Sequence, residues 1–284
     1  MEIYLKIAST YISIRWDSDS LNHIIKRMFS PWHVSSGNPT YSWDIFAIDS
    51  RYFLKTHLRS VKCSDERTLA ANLEYSLTLL AQEIYSQNLQ VHASCVDFQG
   101  KGVLFVGPHG AGKTTLALTA IASGFRALTD DVSIIGESSD QILGFPRPFK
   151  VCEDVWNMQP TVVPLDCPYF KVNDNTKYLY FYLPCGRYYV ENTSVKYIIF
   201  PVRNDNPTMI RELGETESLN KLLRQGFNCY QKKNGRVDEL LDTIRKTSSF
   251  EIEYNSHWDL LKRVRELLAT SSLDNCPTVE GEIE

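Results

Sequence analysis

A glycine-rich motif at residues 107–114 is the part of the chain whose residue types most clearly predict chemistry. It consists of Gly107, Pro108, His109, Gly110, Ala111, Gly112, Lys113 and Thr114, and it matches the phosphate-loop pattern G-x-x-x-x-G-K-[ST]. Glycines let the backbone approach closely enough for its N–H groups to point at phosphate oxygens. In this pattern the lysine reaches the β- and γ-phosphates, and the threonine hydroxyl binds Mg²⁺. The motif, together with the following Thr115, therefore predicts a site for ATP and Mg²⁺, although no motif distinguishes ATP from GTP.

Two adjacent carboxylates, Asp130 and Asp131, follow the phosphate loop inside the strand-like stretch 125–135. Successive residues of a strand point to opposite faces, so we expect one carboxylate to face the nucleotide and the other to orient its neighbours. A carboxylate beside the γ-phosphate can accept the proton of an acceptor hydroxyl. We assign that role to Asp130. An exposed turn between two strands is the alternative interpretation of the pair.

A predicted hairpin places His92 at the candidate site. The strand-like stretches 91–98 and 103–106 are joined by Gln99-Gly100-Lys101-Gly102, a composition that favours an antiparallel turn. Pairing around this turn places residue 95 opposite 106 and residue 92 opposite 109, beside the phosphate loop. A protonated histidine there would favour the ionised form of a carboxylate. An ordinary strand histidine is the alternative.

Four cations are candidates for contacts with a phosphate or an acceptor. Arg147 and Lys150 belong to the stretch 143–150, which two prolines stiffen, and such loops position side chains well. Arg187 and Arg203 lie farther along the chain. An ordinary surface cation is the alternative for each of the four.

The phosphate loop is flanked by the elements that such a motif requires. Residues 103–106 form an apolar run typical of a buried strand, and residues 115–123 carry apolar side chains at helical spacing, with Gly124 as the stop. A longer helix is predicted from an N-cap at Ser64 to about Tyr85. Further strands are predicted at residues 3–7, 11–16, 42–48, 51–56 and 195–202, and further helices at 218–225, 235–247 and 259–269.

These patterns predict a mixed α/β fold in three parts. A small β-rich N-terminal module takes residues 1–62, a phosphate-loop core with its leading helix takes 63–215, and a helical part takes 216–284. The last residues, 278–284, form an acidic tail with the composition of a disordered segment. Within the second part, the aromatic side chains of the tyrosine-rich stretch 166–182 are interpreted as core rather than as a recognition surface.

Composition narrows the class of partner. The chain has 284 residues, a net charge of −4 and 7 cysteines without a C-x-x-C pair, so neither a zinc site nor a disulfide framework is indicated. The charge and the absence of a basic run argue against a nucleic acid or an anionic membrane as partner. No apolar stretch approaches the ~18 residues of a membrane span, and the first residues do not resemble a signal peptide. We therefore expect a cytoplasmic protein with a small or peptidic partner.

Taken together, these motifs resemble the catalytic core of the HPr kinase/phosphorylase family over residues 88–135. The resemblance lies in the order and spacing of His92, the phosphate loop and the Asp130–Asp131 pair. It implies a core similar to the nucleotide-binding part of phosphoenolpyruvate carboxykinase. It also implies that Asp130 deprotonates a serine hydroxyl, that Asp131 and Thr114 lie on the metal side, and that His92 tunes the base. The bifunctional relatives are oligomers, so a homo-oligomer is left open.

Departures from that family point to a narrower group. The glycine-rich signature that carries a metal-binding glutamate is replaced by Phe145-Pro146-Arg147-Pro148-Phe149, so phosphorylase activity is not expected. The first 60 residues and the C-terminal part also differ from the bifunctional enzymes. The layout looks like that of the HPr-kinase-related enzymes of lasso-peptide pathways. Those enzymes phosphorylate a serine near the end of a precursor peptide.

Three functional hypotheses follow from the sequence. The first is an ATP-dependent kinase for a serine of a peptide or small protein, and the second is a kinase for a small hydroxylated metabolite. The third is a nucleotide-binding switch without turnover, in which Asp130 only helps to hold Mg²⁺ through Thr114. Loss of transfer with retained nucleotide binding in Asp130→Asn would favour a kinase over a switch.

Overall fold

The fold is mixed α/β, as the sequence predicts. The structure is a computed structural model, and it describes residues 1–49, 51–145, 147–152, 169–171, 178–181, 188–229 and 236–273. Its strands are β1 (Glu2–Ile7), β2 (Thr10–Trp16), β3 (His33–Val34), β4 (Tyr41–Ile48), β5 (Arg51–Lys55), β6 (Ser60–Cys63), β7 (Gln90–Val91), β8 (Ala93–Phe98), β9 (Lys101–Val106), β10 (Arg126–Thr129), β11 (Ser133–Ile135), β12 (Gln141–Leu143), β13 (Phe149–Cys152), β14 (Tyr169–Lys171), β15 (Tyr178–Phe181), β16 (Asn192–Arg203), β17 (Met209–Glu212) and β18 (Ser248–Tyr254). The α-helices are α1 (Asn22–Met28), α2 (Glu66–Ile84), α3 (Lys113–Ala122), α4 (Glu215–Leu223), α5 (Val237–Arg245) and α6 (His257–Leu273).

A 9-stranded sheet carries the phosphate loop. Its order is β10-β8-β9-β16-β12-β11-β7, and β18 pairs with β16 on one side and with β17 on the other. β9 runs parallel to β16, which runs parallel to β18. β10 also runs in the direction of β9, because each of them is antiparallel to β8. The carboxyl ends of β10, β9, β16 and β18 therefore meet at one edge of the sheet, where ligands of such sheets bind.

Helices cover both faces of this sheet, which explains the continuous apolar run of β9. Val103 and Phe105 share a buried cluster with residues of α3 and α6. Leu104 and Val106 belong to a second buried cluster, with residues of α4 and α5. A strand buried on both faces has no polar alternation, and such a run is the pattern that sequence analysis interprets as a buried strand.

The N-terminal strands form a separate sheet of 6 strands in the order β3-β1-β2-β4-β5-β6. One face packs on α1 and α2 through side chains such as Leu5, Ile14 and Leu73. The same buried cluster includes Val132, two residues after Asp130, and Phe145. The core of the N-terminal sheet is thus continuous with the segment that carries the two carboxylates.

The predicted hairpin is confirmed, but its predicted register is wrong by two residues. Ala93 pairs with Val106, and Phe98 pairs with Lys101, so the turn contains only Gln99 and Gly100. Both turn residues have positive φ, +54° and +83°. This is the geometry of a two-residue hairpin turn, which matches the twist of the strands. The sequence gives little indication of a two-residue turn at Gln99, because positive φ is uncommon outside glycine, asparagine and aspartate.

Most other predicted elements are present with shifted ends. The N-cap of α2 is Asp65, whose side chain accepts a hydrogen bond from the Thr68 backbone N–H, rather than Ser64. Gly124 follows α3 with a φ of +93°, as expected of the stop. α1 and β18 were not predicted. Because β18 belongs to the 9-stranded sheet, residues 248–254 are part of the sheet that carries the phosphate loop. The division of the chain after residues 62 and 215 stays a prediction.

Some predictions concern residues outside the described ranges. These are the acidic tail at 278–284, Arg187, Pro146 and much of the tyrosine-rich stretch 166–182. Within the described ranges, none of the helices has the length and apolar character needed to cross a membrane.

Candidate active site

The phosphate loop connects the end of β9 to the start of α3, as the motif predicts. Gly110 and Gly112 have φ values of +83° and +84°, which L side chains rarely adopt. A Cβ at Gly112 would also lie 2.5 Å from the hydroxyl of Tyr254. Gly112 is the N-cap of α3 and is left-handed. The loop therefore needs glycine for both its conformation and its packing, and it leads into a helix N-terminus, where anions bind favourably.

Lys113 is folded back onto the loop that it follows. Its Nζ donates to the carbonyl oxygens of Gly107 at 2.8 Å and Pro108 at 3.1 Å, and the residue is buried. Burial lowers the pKa of Lys113, while the charges of Asp131 and Asp130 act in the opposite direction. The ammonium group is held at the mouth of the loop, where the pattern places it for the β- and γ-phosphates.

Asp130 lies beneath the start of α3 and is 2% exposed. Its carboxylate accepts hydrogen bonds from the hydroxyls of Ser94 at 2.5 Å and Thr114 at 3.0 Å. Burial, followed by the negative charge of Asp131, raises the pKa of Asp130 well above its usual range, against the hydrogen bonds from Ser94 and Thr114. This carboxyl can therefore hold a proton near neutral pH.

Asp131 faces the other way and is open to solvent. Its backbone is left-handed with a φ of +61°, and its side chain is 39% exposed. Nε2 of His92 lies 3.6 Å from Oδ1 of Asp131. Burial works to raise the pKa of Asp131, but the neighbouring His92 and the charges of Arg147 and Lys113 outweigh it, so the pKa is held below its usual range.

The two carboxylates are therefore arranged differently from the expectation. They lie in a break between β10 and β11 rather than on a strand, because the left-handed backbone of Asp131 ends the regular pairing. The alternative of an exposed turn is wrong as well, since Asp130 is buried. His92 lies next to Asp131 rather than Asp130, and its influence on the proposed base stays a prediction.

Arg147 supports the carboxylate pair from behind. Its Nη1 donates to the backbone carbonyl of Asp130 at 3.1 Å, and its Nη2 forms an ion pair with Glu74 of α2. The residue is 9% exposed. The predicted contact with a phosphate or an acceptor finds no support in these bonds, which instead tie the turn at Asp130 to the N-terminal sheet's helix.

A cavity of about 340 Å³ opens above the phosphate loop. From the loop and α3 it is lined by His109, Gly110, Gly112, Lys113, Thr114 and Thr115, and from elsewhere by Asp131, Lys150, Val151, Arg203 and His257. A larger open depression of about 740 Å³ lies on the N-terminal sheet, but its walls include none of the motif residues. We take the smaller cavity as the site, because the charged and hydroxyl groups converge there.

The donor set in this cavity fits magnesium. Mg²⁺ is bound in nucleotide sites through one or two carboxylates or hydroxyls together with substrate phosphates and water. Thr114 and Asp131 line the cavity, and Asp130 is hydrogen-bonded to Thr114. Within the described ranges, no group of three or more His, Cys, Asp or Glu side chains forms a metal cage by itself.

Several residues of the site were not identified in the sequence. Ser94 and Glu74 contact the carboxylate segment, and Tyr254 and His257 adjoin the loop. Ser94 stands two residues after His92 in the motif region, so the hairpin pattern offered a signal for it. The other three depend on contacts that are distant in sequence.

Comparison with known proteins finds similar segments in HPr kinase/phosphorylases. The chain is 36% identical over 69 residues to the enzyme of Prosthecochloris aestuarii, which is 24% of this chain and 20% of that protein. It is 32% identical over 78 residues to that of Clostridium botulinum, covering 28% and 26%. It is 41% identical over 59 residues to that of Shouchella clausii, covering 20% and 19%. The chain thus matches about a fifth to a quarter of the length of these curated relatives.

Two further comparisons add little. No family model matches the chain. The structure of the Hpr(Ser) kinase/phosphatase from Coxiella burnetii covers 65% of this chain and 97% of that one, with 17% identity and a TM-score of 0.32, a degree of superposition too low to add to the fold assignment. The sequence matches nevertheless confirm the resemblance: over about a quarter of its length, this chain is similar to HPr kinase/phosphorylases.

Proposed function

We propose that the protein is an ATP-dependent kinase that transfers the γ-phosphate to a serine hydroxyl of a peptide or small protein. The observation that carries the proposal is that the phosphate loop adjoins two carboxylates of opposite pKa behaviour: Asp131 lines the cavity, and the buried Asp130 accepts a hydrogen bond from Thr114. The relatives are named for kinase and phosphorylase activity on HPr, and they support the reaction class.

Phosphoryl transfer asks the protein mainly to position groups and to neutralise charge. The backbone N–H groups of the loop and the ammonium of Lys113 would hold the β- and γ-phosphates. Thr114 and Asp131 would hold Mg²⁺, which when bound offsets the negative charge of the phosphates. Each of these groups already lines the cavity, so binding requires little rearrangement of the backbone.

Asp130 is the proposed proton acceptor. Its pKa is raised toward the working pH, whereas that of Asp131 is lowered, and a stronger base accepts the hydroxyl proton more readily. Ser94 and Thr114 keep the Asp130 carboxylate oriented. Asp131 and His92 form the more open side of the pair, where an acceptor hydroxyl can approach.

The finer assignment concerns the acceptor. We propose a ribosomal natural-product precursor of the lasso type, phosphorylated on a serine near its end, in the cytoplasm. The support is the layout of the chain and the segment around Arg147, which stands where the bifunctional family has its glycine-rich signature. In this chain that segment contains no glutamate, and its Arg147 pairs with Glu74, so phosphorylase activity is not expected.

The test is mass spectrometry of acceptor peptides after incubation with the protein, ATP and Mg²⁺. Peptides ending in serine are compared with the same peptides ending in alanine, and Lys113→Met serves as the inactive control. A mass increase of one phosphate on the serine peptide alone supports the proposal. Phosphate on small hydroxylated metabolites but on no peptide would move the acceptor class to metabolites. Tight ATP binding with transfer to no acceptor would overturn the kinase.

A further inference from the structure

The cavity has a second wall, formed by two side chains that the proposed chemistry does not use. Arg203 is the last residue of β16, and His257 is the first residue of α6, three residues after the end of β18. Both line the cavity above the phosphate loop. They come from the carboxyl ends of the two strands that continue the sheet beyond β9.

The order of the strands places this wall opposite the carboxylates. Asp130 follows β10 and contacts β8 through Ser94, and both strands lie on one side of β9. Arg203 and His257 follow β16 and β18, on the other side of β9. Neighbouring strands are ~4.8 Å apart, so β8 and β18 are separated by roughly 14 Å across the sheet. A nucleotide lying on the loop is long enough to have its two ends at these two walls.

His257 is held firmly against the loop. The Tyr254 hydroxyl donates to the carbonyl of Ala111 at 3.2 Å, and the rings of Tyr254 and His257 are 5.3 Å apart. A Cβ added at Gly112 would lie 3.5 Å from Nε2 of His257. The backbone N–H of Asn204 donates to the Tyr254 carbonyl at 2.9 Å, which joins the ends of the two strands. The imidazole thus packs against Tyr254 and lies close to Gly112 of the loop.

The charges of this wall suit a phosphate and the ribose hydroxyls of a nucleotide. Arg203 is exposed, and within the described ranges it forms no ion pair. Burial, followed by the charge of Arg203, lowers the pKa of His257 to about 4, so its imidazole is neutral at physiological pH. A neutral imidazole offers one donor and one acceptor, which suits hydroxyl groups, whereas a free guanidinium suits a phosphate.

We propose that Arg203 and His257 bind the nucleoside end of the nucleotide, with Arg203 on the α-phosphate and His257 on the ribose hydroxyls. The nucleotide then lies across the sheet, with its γ-phosphate at Asp130 and Asp131 and its ribose over β16 and β18. The inference rests on the proposed function for the presence of a nucleotide. It adds the direction in which the nucleotide lies and two residues that select a nucleotide over inorganic phosphates.

Binding measurements by calorimetry test this orientation without any acceptor. The variants are Arg203→Met and His257→Phe, the second of which keeps a ring against Tyr254. Arg263→Met is the matched control, because Arg263 is a cation of α6 that pairs with Glu266 and does not line the cavity. The probes are ATP, 2′-deoxy-ATP, 3′-deoxy-ATP and inorganic pyrophosphate, each with Mg²⁺, and thermal denaturation checks that each variant is folded.

We expect Arg203→Met to weaken ATP binding about tenfold, the effect of losing one charge-assisted contact, with pyrophosphate binding changed by less than about twofold. His257→Phe should weaken ATP about fivefold and should remove the difference between ATP and whichever deoxy-ATP binds more weakly to the wild type. Arg263→Met should behave as wild type.

Two results would overturn the orientation. One is an equal loss of ATP and pyrophosphate binding in Arg203→Met, which would put this wall at the β- and γ-phosphates. The other is unchanged ATP binding in both variants. Failure of the proposed function gives different results. A wild-type protein that binds no ATP would have no nucleotide site. A wild-type protein that binds ATP but transfers no phosphate would not be a kinase, and the same binding measurements would still test the orientation of the nucleotide.

Discussion

The cavity above the phosphate loop has two walls, one at the carboxylates and one at Arg203 and His257, and they differ in how they are built. At the carboxylate wall, Asp130 is buried and both of its oxygens are engaged by Ser94 and Thr114, and Arg147 braces its backbone. At the opposite wall, Arg203 is exposed at the end of a strand, and His257 is held by Tyr254. The first wall is organised before any ligand arrives, whereas the second has polar groups still available to a ligand.

This difference indicates a division of labour. Groups that act in a transition state gain from being fixed in advance, because no reorganisation is then needed during the reaction. Groups that only recognise a ligand act through binding and affect the bound ground state and the transition state alike. Substitutions at the carboxylate wall should therefore change the rate of transfer, and those at the Arg203 wall should change the affinity for the nucleotide.

Among substitutions outside the Asp130–Asp131 pair, the largest effect is expected at Lys113, which lies between the two walls. Lys113→Met keeps most of the buried stem but removes the ammonium from the β- and γ-phosphates. We expect phosphate transfer to fall on the order of a thousandfold, as for the loss of a major electrostatic contact in a transition state. Single-turnover assays with labelled ATP measure this fall in the rate of phosphate transfer. Transfer within about tenfold of wild type would show that the loop does not hold the reacting phosphates.

The next largest effect is expected at Arg147, which contacts the backbone behind the carboxylates. Arg147→Met leaves Glu74 without its partner in a largely buried position and frees the turn at Asp130. Breaking a buried ion pair in this way costs about 3 kcal/mol of unfolding free energy, measured by urea denaturation. Transfer should fall more than nucleotide affinity. Arg147→Lys, which keeps the charge, should recover part of the stability but not the fork of two hydrogen bonds.

The two walls should also respond in opposite ways to pH in the nucleotide-free protein. Folding raises the pKa of Asp130 from its usual 3.8 to about 7, so the folded state prefers the protonated form. Its contribution to stability is present below pH 4 and is lost as the pH rises through 7. Wild type should therefore lose melting temperature relative to Asp130→Asn between pH 5 and pH 8. Melting temperatures that change in parallel for the two proteins across this range would contradict the raised pKa of the buried Asp130 carboxyl.

At the opposite wall, the expected change of stability with pH has the opposite sign. Folding lowers the pKa of His257 from 6.5 to about 4, so the folded state prefers the neutral imidazole. Its contribution is fully present above pH 6.5 and is lost as the pH falls toward 4. His257→Phe should therefore be less sensitive than wild type to acidification from pH 6.5 to pH 4.5 in thermal denaturation. A variant with the same acid sensitivity as wild type would show that His257 is not buried beside Arg203.

The smallest expected effect is on the acceptor. Phe227 is 43% exposed, its ring lies 5.8 Å from that of His92, and its backbone N–H donates to the carbonyl of Gln90. Phe227→Ala should raise the KM for a peptide with an apolar residue beside the serine by about threefold, since about 0.7 kcal/mol of apolar contact is lost. The affinity for ATP should not change. A loss of ATP affinity instead would place Phe227 at the nucleotide.

The sequence predicted one wall of the site far better than the other, for a physical reason. The loop, Asp130, Asp131 and His92 lie within 40 residues of one another and are joined by local elements, so their patterns are readable. The register of the hairpin was missed because Gln99 adopts a positive φ without being glycine. The role of Arg147 was missed because its partner, Glu74, is distant in sequence.

The wall at Arg203 and His257 could not be inferred from local patterns at all. It depends on the parallel pairing of β16 with β18, which are separated along the chain by α4 and α5. β18 itself was not predicted, since its alternating side chains lie between two helical patterns. Arg203 was identified only as one cation among several, and nothing in its neighbourhood along the chain distinguishes it.

We propose that Asp130 removes the proton of a serine hydroxyl while the cavity beside it holds ATP. Phosphate transfer to a serine peptide and ATP affinity are measured in the same preparations of wild type, Asp130→Asn and Asp131→Asn. We expect Asp130→Asn to lose transfer by a factor of roughly 10² to 10⁴ and to keep its ATP affinity within a few-fold. Transfer close to wild type in Asp130→Asn, with the loss appearing in Asp131→Asn instead, would contradict it and would assign the base to the carboxylate that faces the cavity.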